Sequence, residues 1–186
     1  MASVHSAGIV LYRLTGGGRA SGAAVEETYE ILLVHPGGPF WANKDDHGWS
    51  IPKGEFDPET EAAPAAARRE FEEELGRPVP DSRTAGEPIE LPSFRAGRKH
   101  IHATLIGADF DPTVIHSNSV EIEWPPRSGR SLVVPEVDRA SWVSLQNARN
   151  KLHKGQVPLV DLVVAALSDR ADDGPPATND DPDLPR

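Results

Sequence analysis

The stretch Arg69-Glu70-Phe71-Glu72-Glu73-Glu74-Leu75-Gly76 contains a cluster of carboxylates on which the interpretation of the whole chain depends. On an α-helix, Glu73 and Glu74 follow Glu70 by three and four residues. The three side chains are therefore expected on one face, about 5–6 Å apart. The apolar residues of the stretch fall on a neighbouring stripe. The pattern predicts a helix with one buried face and one acidic face.

This helix is predicted over residues 63–75. Pro64 is tolerated in the first turn, where its missing N–H needs no partner. Gly76 is suited to the position just after a helix end. The stripe expected in the core consists of Ala67, Phe71 and Leu75.

Three neighbouring carboxylates repel one another. Two unit charges 4 Å apart repel by about 1 kcal/mol in water and about 4 kcal/mol at an effective dielectric constant of 20. A divalent cation relieves this repulsion, and carboxylate oxygens suit Mg²⁺ or Mn²⁺. Bound Mg²⁺ takes up substrate phosphates, which indicates metal-assisted attack of water on phosphorus. The alternative for such a run alone is a solvated acidic face with Arg68 and Arg69 as partners.

The residues before the helix extend the pattern. Pro52-Lys53-Gly54-Glu55 is followed by Glu61, by seven further residues and then by the acidic helix. This arrangement resembles the signature of the Nudix hydrolases, which reads Gly, five residues, Glu, seven residues, then Arg-Glu-aliphatic-x-Glu-Glu-x-Gly-aliphatic. The motif covers a small part of the chain but is highly specific, and on it the chain is identified as a member of that family.

Two positions differ from the signature. Six residues instead of five separate Gly54 from Glu61, an insertion within a loop, where added length costs little. Arg77 follows Gly76 where the family has an aliphatic residue, and Val79 is expected to take over that packing.

The resemblance implies one domain over residues 1–170, with an α/β/α sandwich and a mixed central sheet. It implies a pyrophosphohydrolase that cleaves a phosphoanhydride bond in a substrate containing a nucleoside diphosphate, with Mg²⁺ or Mn²⁺. Residues 47–54 resemble the diadenosine tetraphosphate hydrolase branch, which favours nucleoside triphosphates or dinucleoside polyphosphates as substrates. Nucleotide sugars, inositol pyrophosphates and capped RNA remain open. The alternatives are a Nudix-fold nucleotide sensor without turnover and an acidic interaction module.

The resemblance also assigns the metal ligands. Glu70, Glu73 and Glu74 are expected to hold the cation, with the carbonyl of Gly54 as a fourth ligand. Arg69 is expected to pair with Glu61 and hold the loop on the helix.

The residue that activates the attacking water differs among members of the family. Some use a glutamate of the signature, here Glu73, and others a glutamate from a distant loop. Glu136, six residues before Trp142, is the leading loop candidate for a metal ligand or general base. Glu121 and Glu123 are further candidates, and each of these carboxylates is alternatively a surface residue.

Several side chains are candidates for substrate binding, although each is alternatively a surface or core residue. Cationic groups suit phosphates, a pair of histidines shares one face of a predicted strand, and an indole ring can stack on a base. The candidates are Lys53, Arg127, Arg130, His100, His102 and Trp41, with Trp124 as an alternative stacking residue.

The remaining pattern predicts a sheet with further helices packed on it. A flexible connection is predicted over residues 15–24, and residues 144–153 and 157–170 are predicted as helices, the first starting at Ser144 and stopping at Gly155. The predicted strands are 6–13, 29–35, 49–52, 89–95, 99–109, 120–124 and 142–143.

Composition limits the function classes. The 186 residues carry a formal net charge of −10, which argues against DNA and anionic membranes as partners. The absence of cysteine removes disulfides, thiolate metal sites and cysteine nucleophiles. No apolar run reaches the roughly 18 residues of a membrane span, and no signal peptide is evident, so a cytoplasmic protein is expected.

The end of the sequence differs from the rest. Residues 171–186 are rich in Asp and Pro and are predicted to form a disordered acidic tail. The helix predicted before this tail has an apolar face that suits a homodimer interface as readily as a core.

Overall fold

The protein is represented by a computed structural model that describes residues 3–15, 24–82 and 87–172. Most of the predicted connection 15–24 and nearly all of the predicted tail lie outside these ranges. The strands are β1 (Val4–Leu14), β2 (Tyr29–Pro36), β3 (Lys53–Phe56), β4 (Ile89–Glu90), β5 (Phe94–Ala96), β6 (Lys99–Gly107), β7 (Ser119–Glu123), β8 (Ser131–Pro135) and β9 (Val137–Ser144). The helices are α1 (Val25–Thr28), α2 (Ala63–Leu75), α3 (Leu145–Lys151) and α4 (Pro158–Asp172), with a 3₁₀ turn at Lys154–Gln156.

A mixed sheet forms the centre of the molecule. Its main strand order is β4-β6-β1-β2-β9, and β1 runs parallel to β6 with Val4 opposite Lys99. The other pairings are antiparallel, and β3 pairs with the first half of β1 so that Gly54 lies opposite Ala7. Strands β7 and β8 form a separate two-stranded hairpin.

The two faces of the sheet bury different helices. Helix α2 covers one face, where Phe71 is fully buried beside Ile9 and Leu32. Helices α3 and α4 cover the other face, with Leu145 and Leu159 in its core. The layers are therefore helix, sheet and helix, as the sequence predicts.

Helix α2 has the predicted boundaries, 63–75. Pro64 lies in its first turn, and Gly76 ends it with φ of 71°, donating its N–H to the Glu72 carbonyl at 2.8 Å. That left-handed conformation costs an L-residue with a Cβ more than it costs glycine. Val79 packs on the same core as the helix, as expected.

Some predicted elements differ from the structure. A strand over 49–52 was wrong, since Trp49 and Ser50 make only isolated bridges and the regular strand begins at Lys53. The predicted strand 89–95 is two short strands, and the last strand of the sheet is far longer than 142–143. The sequence did not predict α1, which is too short to show a period, or β8, whose residues show no alternation of polar and apolar side chains.

The helices at the end of the chain follow the sequence more closely. Ser144 caps α3 by accepting a hydrogen bond from the Asn147 N–H, as predicted. Gly155 is not the helix stop, because α3 ends at Lys151 and Gly155 lies in the 3₁₀ turn. Helix α4 continues to Asp172, two residues into the predicted tail. Within the described ranges, no helix combines the length and apolar character needed to cross a membrane.

Candidate functional site

Carboxylates from α2 and from the loop between β8 and β9 meet in one pocket of about 380 Å³. The pocket lies where β3, the α2 face and the start of β9 come together. Its lining residues are Ser6, Val34, Pro36, Ser50, Lys53, Gly54, Glu55, Glu70, Glu74, Lys99, Glu136, Val137 and His153. Three of the predicted catalytic or ligating carboxylates are thus brought together.

The three glutamates of α2 differ in their surroundings. Glu74 is buried, and the side chain of Glu70 is only 13% exposed. Glu73 is 47% exposed and does not line the pocket. The helix therefore directs two carboxylates into the pocket and leaves the third at its rim.

Gly54 is required by the carboxylate that packs against it. A Cβ at this position would overlap the carboxylate of Glu70. Strand β3 can approach α2 this closely because glycine has no side chain there. The six-residue loop between Gly54 and Glu61 leaves this approach intact.

Lys53 provides a positive charge that acts on the buried carboxyl group of Glu74. Burial lowers the pKa of Lys53 and raises the pKa of Glu74, while the attraction between the two groups opposes both shifts. Glu74 also accepts a hydrogen bond from the backbone N–H of Lys53. The candidate phosphate-binding lysine therefore lines the pocket.

Arg69 makes the predicted pair with Glu61. Its Nε and Nη2 donate to the two carboxylate oxygens of Glu61 at 3.2 and 2.9 Å. Its Nη1 donates to Glu70 at 2.5 Å and lies 3.6 Å from an oxygen of Glu73. One guanidinium thus joins the loop before α2 to two of the helix carboxylates.

Glu136 is placed by backbone hydrogen bonds on both sides. Its N–H donates to the Asn118 carbonyl at 2.8 Å, and its carbonyl accepts from the Gly37 N–H at 3.0 Å. Burial raises the pKa of Glu136, and the negative charges of Glu70 and Glu73 raise it further. A carboxylate with a raised pKa is suited to accept a proton near neutral pH.

The carboxylate oxygens at the pocket are ligand atoms of the kind that a hard divalent cation prefers. Glu74 Oε2 is buried and has no hydrogen-bond partner among the described residues, and the neighbouring donors are oxygens. Nevertheless, no three His, Asp or Glu side chains in the described ranges are arranged to hold a metal ion. Arg69 Nη1 binds Oε1 of Glu70, and this ion pair leaves Oε2 of Glu70 for a cation. The expectation that all three α2 carboxylates converge is thus not met in this conformation.

Two predicted substrate-binding histidines lie away from this pocket. His100 and His102 do share one face of β6, as predicted, but they pack with His5 of β1. His102 and His5 are hydrogen-bonded at 3.0 Å, and both rings contact Phe56 edge-on.

The candidates on the β7–β8 hairpin are also outside the pocket. Arg127 and Arg130 are exposed in its turn, and Trp124 precedes them at the end of β7. Glu121 and Glu123 point to solvent, and Glu123 accepts a hydrogen bond from the Gly129 N–H. Among the loop carboxylates named by the sequence, Glu136 is the one at the pocket.

Trp41 reaches the pocket indirectly. Its ring lies 4.9 Å from the ring of His153, which lines the pocket, and 4.9 Å from the exposed ring of Phe40. Lys44 places its ammonium over both Phe40 and Trp41. This aromatic shelf, Phe40, Trp41 and His153, borders one end of the pocket.

Sequence reasoning missed Ser6, Lys99 and His153. Ser6 Oγ is buried without a partner among the described residues, and Lys99 pairs with Glu55 at 2.8 Å. Ser6 lies in β1, Lys99 in β6 and His153 between α3 and the 3₁₀ turn, and none of them carries a local motif. Only the register of β1 with β3 and β6 could have indicated the first two.

A sequence model of the family described as the NUDIX domain matches residues 18–163. The chain belongs to the NUDIX family. This membership confirms the resemblance and identifies a hydrolase that acts on phosphoanhydride bonds. The Nudix signature of this chain is the segment from Gly54 to Gly76, and it forms the β3–α2 side of the pocket.

Solved structures of other Nudix proteins share the fold at low sequence identity. A mutT/nudix family protein from Listeria innocua is 17% identical with a TM-score of 0.56, covering 94% of this chain and 99% of that chain. The Ap4A hydrolase of C. elegans, in a binary complex, is 22% identical with a TM-score of 0.50, covering 89% and 98%. The NUDIX domain of Shewanella oneidensis NrtR complexed with ADP ribose is 14% identical with a TM-score of 0.53, covering 90% of each chain.

Proposed function

We propose that this Nudix hydrolase is a pyrophosphohydrolase that depends on Mg²⁺ or Mn²⁺ and cleaves substrates containing a nucleoside diphosphate. Nucleoside triphosphates and dinucleoside polyphosphates are the favoured substrates. The observation that carries the proposal is the meeting of Glu70, Glu74 and Glu136 with Lys53 in one pocket. A polyphosphate bound there meets both the acidic groups that attract a cation and a lysine that attracts phosphate oxygens.

The carboxylates of α2 would hold the cation. Glu70, Glu73 and Glu74 would be its ligands, with the Gly54 carbonyl as a further oxygen. Glu74 Oε2, which is buried without a hydrogen-bond partner among the described residues, supports this assignment. A divalent cation bound there neutralises phosphate charge and lowers the pKa of bound water. Arg69 orients Glu70 and secures the preceding loop through Glu61.

Glu136 is the favoured proton acceptor for the attacking water. It faces the pocket and belongs to a rigidly hydrogen-bonded loop, whereas Glu73 lies at the rim. A carboxylate whose pKa is raised toward neutrality removes a proton more effectively than an ordinary one. Glu73 would then act as a ligand of the cation and not as the proton acceptor.

The substrate class rests on the charge and on the borders of the pocket. Lys53 and Lys99 line it and suit phosphate oxygens, and the aromatic shelf at one end suits a base. The C. elegans neighbour is an Ap4A hydrolase, and the Shewanella oneidensis neighbour is complexed with ADP ribose. A nucleoside diphosphate unit is common to both compounds.

A mass-spectrometric product screen tests the proposal. The panel contains nucleoside triphosphates, dinucleoside polyphosphates, nucleotide sugars and capped RNA, each with Mg²⁺, with Mn²⁺ and with EDTA. Hydrolysis in H₂¹⁸O shows which phosphorus is attacked, and Glu136→Gln is expected to lower kcat with little change in KM. Turnover that persists in EDTA contradicts the metal dependence. Binding without product for every compound of the panel in both the Mg²⁺ and the Mn²⁺ arms identifies a sensor instead.

A further inference from the structure

His153 is a pocket residue that the proposed mechanism does not use. It follows α3, lines the pocket and packs its ring against Trp41 at 4.9 Å. The carboxylate-bearing helix α2 forms another part of the lining. His153 therefore belongs to the same cavity as the proposed catalytic groups without being one of them.

The hydrogen bonds of His153 determine which ring nitrogen carries the proton. Nδ1 lies 2.7 Å from the backbone carbonyl oxygen of His47. A carbonyl oxygen only accepts hydrogen bonds, so Nδ1 is the donor. In the neutral ring, Nε2 is then an acceptor, and among the described residues it has no hydrogen-bond partner.

Burial favours the neutral form of the His153 ring, and hydrogen bonds hold the ring in place. Partial burial lowers the pKa of His153, although the bond to His47 opposes the shift. Backbone hydrogen bonds also fix the two segments beside the ring. The N–H groups of His47 and Trp49 donate to the carbonyls of Asn150 and Lys151, and the His153 N–H donates to the Trp49 carbonyl. The orientation of the ring is therefore set before any ligand binds.

We propose that His153 is a specificity residue that accepts a hydrogen bond from the nucleoside part of the ligand through Nε2. This inference rests on the proposed function, because it assumes that a polyphosphate occupies the carboxylate end of the pocket. The Trp41 ring beside His153 provides an apolar surface for a base or ribose. The donor is a hydroxyl of the ribose or an exocyclic amine of the base.

Two variants separate the two nitrogens of the ring. His153→Asn keeps a donor near the position of Nδ1 and removes the acceptor at Nε2. His153→Gln keeps an acceptor near Nε2 and loses the bond to His47. Thermal unfolding is used to check that both variants fold, and His116→Asn, at an exposed site away from the pocket, is the matched control.

Isothermal titration calorimetry with Mg²⁺ measures four probe ligands. They are α,β-methylene-ATP, its 2′-deoxy analogue, α,β-methylene-ITP and inorganic tripolyphosphate. We expect His153→Asn to weaken α,β-methylene-ATP about tenfold, the effect of one lost hydrogen bond, and to leave tripolyphosphate unchanged. His153→Gln should retain part of the affinity.

The probe ligands also identify the donor. If the ribose 2′-hydroxyl is the donor, the 2′-deoxy analogue binds equally to the wild-type protein and to His153→Asn. If the base amine is the donor, α,β-methylene-ITP binds equally to the wild-type protein and to His153→Asn. Equal weakening of tripolyphosphate, or no weakening of either ATP analogue, overturns the role of His153. If the wild-type protein binds none of the four ligands, the proposed nucleotide function fails, and the inference with it.

Discussion

Arg69 holds both carboxylate oxygens of Glu61 with two parallel hydrogen bonds, of 3.2 and 2.9 Å. Its third nitrogen, Nη1, binds Glu70 on the helix. A planar guanidinium makes this double contact, and an ammonium group does not. The position of the loop before α2 and the position of a proposed metal ligand are therefore set by one side chain.

Replacing Arg69 with lysine tests this relationship. We expect Arg69→Lys to lower kcat/KM about 10- to 100-fold, the range for losing a group that orients a metal ligand. The Mg²⁺ concentration for half-maximal activity should rise with it, while the melting temperature changes little because the ion pair with Glu61 is partly exposed to solvent. Wild-type Mg²⁺ dependence in this variant would show that Glu70 needs no such support. Arg68→Lys, on the exposed side of α2, is the control.

Replacing the buried carboxyl group of Glu74 tests its role as a proposed metal ligand. We expect Glu74→Gln to lower kcat at least about 100-fold, because the cation supplies several kcal/mol of transition-state stabilisation. Stability should not fall, since burial raises the pKa of Glu74 to about 8 despite the attraction to Lys53, and glutamine matches the uncharged carboxyl group. Glu72→Gln, at an exposed position of the same helix, should retain full activity. Equal kinetics of the two variants would remove Glu74 from the site.

The close approach of Gly54 to Glu70 predicts the effect of one methyl group. Gly54→Ala places a Cβ where the Glu70 carboxylate lies, so the ligand must move and activity should fall to the background of the assay. Gly97→Ala is the matched control, because nothing lies within 4 Å of its Cβ position. That variant should lose about 1 kcal/mol of stability from its positive φ and remain active. An active Gly54→Ala enzyme contradicts the packing described for β3 and α2.

Ser117 is expected to help place Glu136. Its Oγ accepts the N–H of Val137 at 2.9 Å, and the adjacent Asn118 binds the Glu136 N–H. We expect Ser117→Ala to lower kcat about three- to tenfold with KM unchanged, on the scale of one hydrogen bond. Ser117→Thr should recover activity because it keeps the hydroxyl. A change confined to KM, or a loss in Ser117→Thr equal to that in Ser117→Ala, would contradict this role.

The environment of His153 predicts how stability depends on pH. Burial lowers its pKa in the folded protein, so the unfolded chain, with a pKa near 6.5, binds a proton first as the pH falls. The free energy of unfolding should therefore decrease from about pH 7 downward through this range. His153→Asn should show a shallower decrease between pH 7.5 and 5.5 in urea titrations, whereas His116→Asn should follow the wild type. An unchanged slope in His153→Asn would show that this ring does not couple to folding.

Local sequence signals predicted the parts of the fold that depend on neighbours along the chain. Helix α2 has its predicted limits because a tolerated proline, an apolar stripe and a glycine end all act within one segment. The hairpin of β7 and β8 was only half predicted, since Leu132 and Val133 of β8 are exposed and show no alternation that marks a strand. Predictions for Arg127, Arg130, His100 and His102 as substrate-binding residues stay predictions.

The sequence by itself determined the family signature, the helix that carries Glu70, Glu73 and Glu74, and the pairing of Arg69 with Glu61. Only the tertiary structure decided that Glu74 is buried, that Glu73 lies at the rim, and that Ser6 and His153 join the same pocket. The physical reason is the distance along the chain over which each interaction acts. Helix periodicity and capping act over a few residues, whereas burial and pocket membership depend on strand register and packing between distant segments.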